Sequence, residues 1–454
     1  MSFSPAIFAG KRFAVVGLGR NGLPAARALA AMGAAVTVWD DTPAARAAAA
    51  AEGLVVAEPA MAGLDALVLS PGIPHHLPRP HAIAAMARAA GVAILSDVDL
   101  LFRAVRAAGS QARFVGITGT NGKSTTTALL AHVLEQAGVA MAAGGNLGVA
   151  ALALPLLGDD GVYCIEMSSY MLERTAQVTF FAAAMLNLSP DHLDRHGDMA
   201  GYATAKLAVF DRQTVGDLAV IGIDDAWSRD MAAGLRRAPA QVTTVSGDSP
   251  ADFWCDGTSL CDADGMIVDL ATARALPGAH NGQNAAAVAA IALRLGLSRA
   301  QVAAGLVTYP GLPHRQENVG RTGGVTFVND SKATNADSAA RALGCYDRLL
   351  WIAGGTAKEG GIEPLTAYFP RVAEAFLIGR DAPVLAATLA AHGVKHRIAG
   401  TLEAAIAAAW QEARAGVADV VLLSPACASW DQFSGFDQRG DRFRTLVAQL
   451  REHV

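Results

Sequence analysis

The chain has few cysteines, and no pair of them at metal-binding spacing. Its five thiols are Cys164, Cys255, Cys261, Cys345 and Cys427. An odd count with no CxxC argues against a disulfide scaffold and a zinc site, and it fits a reducing, intracellular compartment. An excess of one charge is also missing. Lysine and arginine number 36 against 41 aspartates and glutamates, a net charge of −5. That balance gives no reason to expect nucleic acid or a membrane as partner. Charged residues are only 17% of the chain and apolar ones 52%, which excludes a disordered chain and leaves a packed enzyme-like one. Nor does the start look like a secretory leader: Lys11-Arg12 runs into a strand pattern, Phe13 to Gly17, and then glycines. A cytoplasmic location is the expectation.

One uncharged run, Gln136 to Gly158, is long enough to span a bilayer. Gly138, Gly144, Gly145, Asn146, Gly148 and Pro155 interrupt it. It is read as a helix end, a strand and a Gly-rich loop.

A chain of 454 residues exceeds one ordinary core, and about three domains are expected. Residues 1–98 alternate apolar runs (Phe13–Gly17, Val36–Asp40, Ala66–Ser70, Val92–Leu95) with Ala-rich helical stretches. Residues 99–311 alternate likewise, with strands expected at Val162–Ile165 and Ala182–Leu186, a helix at Ala285–Leu295 and a β-hairpin within Ser246–Leu270. Residues 312–454 carry runs at Val325–Val328, Leu349–Ala353, Ala375–Ile378 and Val420–Leu423. Strand–helix alternation predicts an α/β fold of open parallel sheets with helices on their faces. No solenoid repeat is evident.

The stretch Gly116 to Thr127, GITGTNGKSTTT, predicts a loop that cradles the phosphates of ATP. An apolar strand precedes it, and Lys123 to Glu135 has helical spacing. Gly119, Thr120, Asn121 and Gly122 would turn backbone N–H groups and a helix N-terminus toward one point. Lys123 adds a charge for the β- and γ-phosphates, and Ser124 a hydroxyl for Mg²⁺, with Thr125 beside it. The pattern departs from the usual one, with Ile117 where a glycine is expected.

Residues 17–22, GLGRNG, follow the first strand, and Asp40 ends the next. Alone this would suggest NAD. The spacing specifies only a tight turn beside an anion, which a nucleotide-sugar diphosphate also satisfies. Ser70-Pro71-Gly72-Ile73 would lie on the same sheet edge.

Glu166 follows a strand and is placed to hold Mg²⁺ beside Ser124, or else to complement a helix dipole. Asp191-His192-Leu193-Asp194 follows another strand, with Asn187 and Ser189 nearby. His192 is open between a structural role and a ligand role. Spacing alone does not mark Lys206. His314-Arg315 sits past the expected hinge, where an arginine from a closing domain would suit a phosphoryl transition state. Three further polar loops follow strands: Asn329 to Asn335, Gly354 to Lys358 and Ser424 to Ser429.

GTNGKST, EMSSY, DHLDRH with a downstream AK, HNGQN, HR, NDSKATN and SPACASWDQF, in this order, resemble the Mur ligases of peptidoglycan synthesis. The last two motifs resemble the D-glutamate-adding branch. The resemblance implies a Rossmann-like N-terminal domain for a uridine diphosphate sugar, a central ATP domain and a Rossmann-like C-terminal domain for the amino acid. It implies that Gly17, Leu18, Gly19, Asp40, Ser70 and Gly72 hold the nucleotide sugar. It places Asn146 and Ser168 on the muramoyl side, and Asn281 and Asn284 on the adenine side. Asp330 becomes the ribose contact and Arg315 a phosphate contact. Ser124 and Glu166 become ligands of one Mg²⁺, His192 and a carbamylated Lys206 of a second. Lys332, Thr334, Lys358, Ser429 and Phe436 surround D-glutamate. Met171 departs from the family, which usually has Gln there, and a thioether cannot replace an amide's donors.

The implied reaction activates the carboxylate of UDP-N-acetylmuramoyl-L-alanine with ATP and then adds D-glutamate, in a monomer. Competing readings are a related ligase for L-glutamate, an NAD-dependent oxidoreductase resting on Gly17–Gly22 and Asp40, and a nucleotide-binding regulator without turnover.

Overall fold

The computed structural model describes residues 1–146, 148–236 and 239–452. Leu147, within the GGNLG motif, therefore lies outside the described residues. The fold is α/β with three sheets. The chain forms two compact units, Met1–Thr272 with Asn281–Tyr309, and Ala273–His280 with Pro310–Val454.

The first unit carries two sheets. One runs Val55–Val56, Ala35–Trp39, Arg12–Val16, Ala66–Leu69, Ile94–Leu95 from edge to edge, all parallel. Its inner strands, RFAVV and ALVL, are apolar on both faces because helices cover both sides. Strand order reverses between Arg12–Val16 and Ala66–Leu69, so a crevice opens at their carboxyl ends. The helix Gly22–Ala31 leaves that edge so closely that a Cβ on Gly22 would stand 1.8 Å from the Gly17 carbonyl oxygen. Gly17 itself has φ +86°.

The second sheet runs Gly265–Asp269, Ser259–Asp262, Phe253–Asp256, Gln241–Ser246, Leu218–Gly222, Ala182–Met185, Arg113–Thr118, Val162–Glu166, Met141–Gly145. Its strands are parallel except for the final meander. The expected hairpin within Ser246–Leu270 is thus a three-stranded meander that extends the sheet. The uncharged run resolves into the end of the helix Lys123–Gln136, the strand Met141–Gly145 and a short 3-10 turn, Ala151–Ala153. Among the described residues no helix is long and apolar enough to cross a membrane. The helix expected at Ala285–Leu295 begins at Ala279, which puts Asn281 and Asn284 in its first turns.

The second unit carries a six-stranded sheet: Glu317–Thr322, Val325–Asn329, Val420–Leu423, Leu349–Gly354, Val372–Ile378, His396–Gly400. The expectation of a wholly parallel sheet fails at one edge, where Glu317–Thr322 runs antiparallel to Val325–Asn329. Gly323 and Gly324, with φ +56° and +86°, make the tight turn that permits it. The strand ENVGRT is polar, so it escapes an apolar-run reading. Apolar layers cover both faces, with Trp351 fully buried on one and Phe327 and Phe376 on the other.

Gly22→Ala is expected to destabilise the first unit by about 2 kcal/mol, because the methyl meets rigid backbone. A urea midpoint equal to that of the unsubstituted protein would contradict the close approach of Gly22 to Gly17.

Candidate active site

The strand Arg113–Thr118 lies between Val162–Glu166 and Ala182–Met185, so the loop that follows it is flanked by two strand ends. Gly119 has φ +144°, and Gly122 has φ +84° where the helix Lys123–Gln136 begins. The loop is pinned from beside. Asn187 accepts from the Asn121 N–H through its Oδ1 at 2.9 Å and donates back to the Asn121 carbonyl at 3.2 Å. Its own carbonyl takes the Thr120 N–H at 2.9 Å. The Thr120 hydroxyl accepts from the Ser189 N–H at 3.0 Å and lies 3.3 Å from the Tyr202 hydroxyl. The loop is also pinned from below. Thr126 donates to Asn284 Oδ1 at 3.1 Å, and Asn284 donates to Asn281 at 3.1 Å. A Cβ at Gly122 would approach Asn284 Oδ1 to 2.4 Å. Lys123 folds over the loop, its Nζ 2.9 Å from the Gly119 carbonyl and 2.7 Å from that of Thr120. A fixed turn at a helix N-terminus is an anion site made of backbone.

Beside it stands Glu166, at the end of its strand and 2% exposed. Asn146 donates to its Oε1 at 2.7 Å, whereas Oε2 is buried without a hydrogen-bond partner. Lys206, near the end of the helix Met199–Leu207, is 1% exposed. Its Nζ donates to the Gly119 carbonyl at 2.7 Å and lies 4.8 Å from the centre of the Tyr202 ring. Burial drives its pKa well below the ordinary lysine value, and the charge of Lys123 adds to this against Asp191 and Glu166. His192 adopts a left-handed backbone, φ 53°, ahead of the turn Leu193–His196. Burial lowers its pKa, Asp191 opposes that, and Lys206 and Lys123 reinforce it. Among the described residues no three His, Cys, Asp or Glu side chains gather as a metal cluster. The donors here are of another kind: an orphaned carboxylate oxygen and the buried Ser124 hydroxyl, beside a lysine whose pKa is lowered. Oxygen donors of this sort suit Mg²⁺.

At the crevice of the first sheet lies a cavity of about 450 Å³. Gly17, Gly19, Asp40, Ser70 and Gly72 line it, and so do Arg20, Asn21 and Asn146. Leu18 contributes its backbone, donating to Asp40 Oδ2 at 2.7 Å, and Thr42 donates to Oδ1 at 2.8 Å. Asp40 thus shapes the turn. Ser70 donates to the Gly17 carbonyl at 2.7 Å, and Asn21 donates to the Gly145 carbonyl at 3.2 Å. Ser168 caps the turn Ser169–Leu172, and Met171 is buried in the apolar core at 1% exposure.

In the second unit, the loops after Val325–Asn329, Leu349–Gly354 and Val420–Leu423 meet around Arg439, itself 1% exposed. Its guanidinium donates to the Ser331 hydroxyl at 3.0 Å, the Ser331 carbonyl at 2.9 Å, the Cys427 carbonyl at 3.2 Å and the Gly354 carbonyl at 3.3 Å. Asp330 accepts from Ser424 at 2.8 Å and from the Gln316 N–H at 3.2 Å. Burial pushes the Asp330 carboxyl up to about 7, the Ser424 hydrogen bond opposing it. Lys332 sets its ammonium 4.1 Å from the centre of the Phe436 ring. Ser429 is buried, Lys358 exposed, and Thr334 and Arg315 half-buried.

Comparison with known proteins agrees with this geometry. The Mur ligase middle domain matches residues 117–292, and the Mur ligase glutamate ligase domain matches 314–427. A UDP-N-acetylmuramoylalanine–D-glutamate ligase of Paramagnetospirillum magneticum is 51% identical over 96% of both chains. The enzyme of the same name from Caulobacter vibrioides is 48% identical over 98% of this chain and 97% of its own.

The chain belongs to the Mur ligase family.

In fold it resembles the UDP-N-acetylmuramate-alanine ligase of Thermotoga maritima, at 17% identity and a TM-score of 0.60 over 98% of this chain and 100% of that one. The NAD binding domain of 6-phosphogluconate dehydrogenase matches residues 12–93, the source of the dinucleotide-like signal. In this Mur ligase the first unit brings Lys123, Ser124, Glu166, His192 and Lys206 to one end of the central sheet. It gathers Gly17, Gly19, Asp40, Ser70, Gly72 and Asn146 around one cavity, with Leu18 and Ser168 outside that lining. Asn281 and Asn284 lie under the phosphate loop as braces. Sequence reading gave no role to Asn21, Tyr202 or Arg439 and noted Asn187 only as a neighbour. Their partners are mostly backbone groups far along the chain, which leave no spacing signal.

The raised pKa of Asp330 fixes the sign of a pH effect. Folding favours the protonated carboxyl, so its stabilisation is full below the unfolded carboxylate pKa and is lost as pH rises through about 7. Asp330→Asn is expected to flatten the fall in urea midpoint of the second unit between about pH 4 and 7. An unchanged pH profile would show that Asp330 does not carry it.

Proposed function

We propose that this Mur ligase is an ATP-dependent amide ligase that adds D-glutamate to UDP-N-acetylmuramoyl-L-alanine, acting as a cytoplasmic monomer with three functional domains, residues 1–98, 99–311 and 312–454. The observation that carries the reading is the meeting of a braced phosphate loop, an orphaned carboxylate oxygen on Glu166 and the buried Lys206 at one sheet end. A nicotinamide oxidoreductase needs none of the three. The names of the close relatives supply the substrates.

The first cavity takes the nucleotide sugar, its diphosphate against the glycine turn Gly17–Gly22. The loop Gly119–Gly122 and Lys123 hold the ATP phosphates, with Thr125 beside them. Arg315 adds a cation to the phosphoryl group in flight. Ser124 and Glu166 would hold one Mg²⁺, and His192 and carbamylated Lys206 a second. When bound, the metal offsets phosphate charge. Asn281 and Asn284 lie on the adenine side and Asp330 on the ribose. Asn146 and Ser168 face the muramoyl substrate, and Lys332, Thr334, Lys358, Ser429 and Phe436 receive the amino acid.

The burial of Lys206 supports its carbamylation. A neutral amine attacks CO₂, an N–C bond forms, one proton leaves, and a long-armed carboxylate-like anion results. The substrate carboxylate then attacks the γ-phosphate of ATP, the bond to ADP breaks, and an acyl phosphate forms. The D-glutamate amine attacks the acyl carbon, phosphate leaves, and a base takes the amine proton. That base is His192 or a bound phosphate.

Phosphate release is expected only when Mg²⁺-ATP, UDP-N-acetylmuramoyl-L-alanine and D-glutamate are all present. Release with L-glutamate instead would keep the mechanism and change the amino acid. A folded, ATP-binding protein with no release would remove the ligase reading. Intact-protein mass in bicarbonate buffer is expected to include one added CO₂ that Lys206→Met abolishes. An equal gain in that variant would place the modification elsewhere.

A further inference from the structure

The cavity wall Ser70–Ile73 is a loop with little regular structure, yet it must hold a fixed shape around a nucleotide sugar. Its carbonyls are gathered by one side chain. Arg174, 3% exposed, donates from Nη1 to the Leu69 carbonyl at 2.7 Å and the Ser70 carbonyl at 2.9 Å. Its Nη2 donates to the Ile73 carbonyl, and its Nε to His75 Nδ1 at 3.3 Å.

The contacts continue inward. His75 Nδ1 also lies 3.2 Å from Arg195 Nη2, and Arg195 reaches Glu173 at 3.4 Å. Glu173 meets His196 Nδ1 at 3.0 Å, and His196 Nε2 lies 2.9 Å from the Ser169 hydroxyl. His75, Arg174 and Arg195 are each under a tenth exposed. The chain of contacts ends on two turns. Ser169 opens the one that follows Glu166, and His196 closes the one that His192 precedes. Facing two guanidiniums, His75 Nδ1 accepts, with a Glu173 oxygen 3.5 Å away. Burial, and then the Arg174 charge, hold His75 down to about 3, which keeps its Nδ1 lone pair free to accept. Burial lowers Arg174 to about 9 as well, with Glu173 opposing.

We infer that Arg174 is a positioning residue for the nucleotide-sugar substrate: it holds the Ser70–Ile73 wall, and the relay His75–Arg195–Glu173–His196 ties that wall to the turns that follow Glu166 and His192. This rests on the reading of the first cavity as the nucleotide-sugar site. A residue of this kind acts on one substrate. Loss of the guanidinium frees the wall, while the phosphate loop keeps its own braces, Asn187 and Asn284.

The test compares Arg174→Met and Arg174→Lys with the unsubstituted protein, by calorimetric binding of UDP-N-acetylmuramoyl-L-alanine and by steady-state kinetics. Arg174→Met is expected to raise the Kd and KM of the nucleotide sugar at least tenfold, with the KM of ATP within twofold and kcat within threefold. Arg174→Lys is expected to fall between, because one ammonium cannot span three carbonyls and His75. His75→Ala is expected to raise the same KM, and His75→Asn to restore it by returning an acceptor near the place of Nδ1. An unchanged Kd in folded Arg174→Met overturns the inference. A parallel rise in the KM of every substrate overturns it too, since that marks a general loss of structure. Where Arg174→Met does not fold, the His75 pair decides: no rise in His75→Ala, or no recovery in His75→Asn, counts against the relay. Failure of the unsubstituted protein to bind the nucleotide sugar removes the reading of the cavity itself, and this inference with it.

Discussion

An ammonium surrounded by protein has lost the water that makes its charge cheap, and Lys206 is in that position. Its nearest polar neighbours are a backbone carbonyl and a threonine hydroxyl, both neutral. The charge of Lys123 makes the protonated form costlier still. Burial therefore disfavours the charged form of this lysine, and so affects what the phosphate loop has beside it. The carbonyl that Lys206 holds belongs to Gly119, so the lysine and the loop fix each other. Glu166, with one oxygen committed to Asn146 and one left over, completes an arrangement polarised toward a cation.

Such an arrangement is useful only if its backbone is already in place. The first unit achieves this with amides. Asn187 clamps the loop from the side, Asn284 and Asn281 support it from below, and Asn146 links the cavity lining to Glu166. In the second unit a guanidinium does the equivalent work, with Arg439 closing three loops onto one donor. Asn187 and Arg439 satisfy backbone groups directly, and a buried group left without a partner costs roughly 1–3 kcal/mol. Stability and the shape of the site thus rest on the same hydrogen bonds.

Much of this was legible in the sequence, and its limits have physical causes. The phosphate loop could be read because its chemistry is local: glycines, a lysine and a hydroxyl within a dozen positions. The alternating sheets could be read because parallel strands are apolar on both faces. Lys206 could not be read from spacing at all, since its importance comes from burial by elements far along the chain. Resemblance to a family supplied it. Arg439 and Arg174 were invisible for a related reason, because they act on carbonyls, which every residue has. Spacing could not show that both oxygens of Asp40 take backbone N–H groups, because those bonds come from the fold. Met171, in doubt as a lost polar contact, sits in the apolar core.

The hairpin closed by Gly323 and Gly324 has a further consequence. Without it, the apolar strand Val325–Asn329 would be the margin of its sheet, with a row of unpaired amides open to any other extended chain. The polar strand Glu317–Thr322 covers that margin, with Arg321 exposed and Glu317 ion-paired to Arg444. The opposite margin, His396–Gly400, carries Arg397, ion-paired with Glu374 and Glu412. Charged side chains on both borders make strand-to-strand addition less favourable, although Ile398 on the His396–Gly400 border stays exposed.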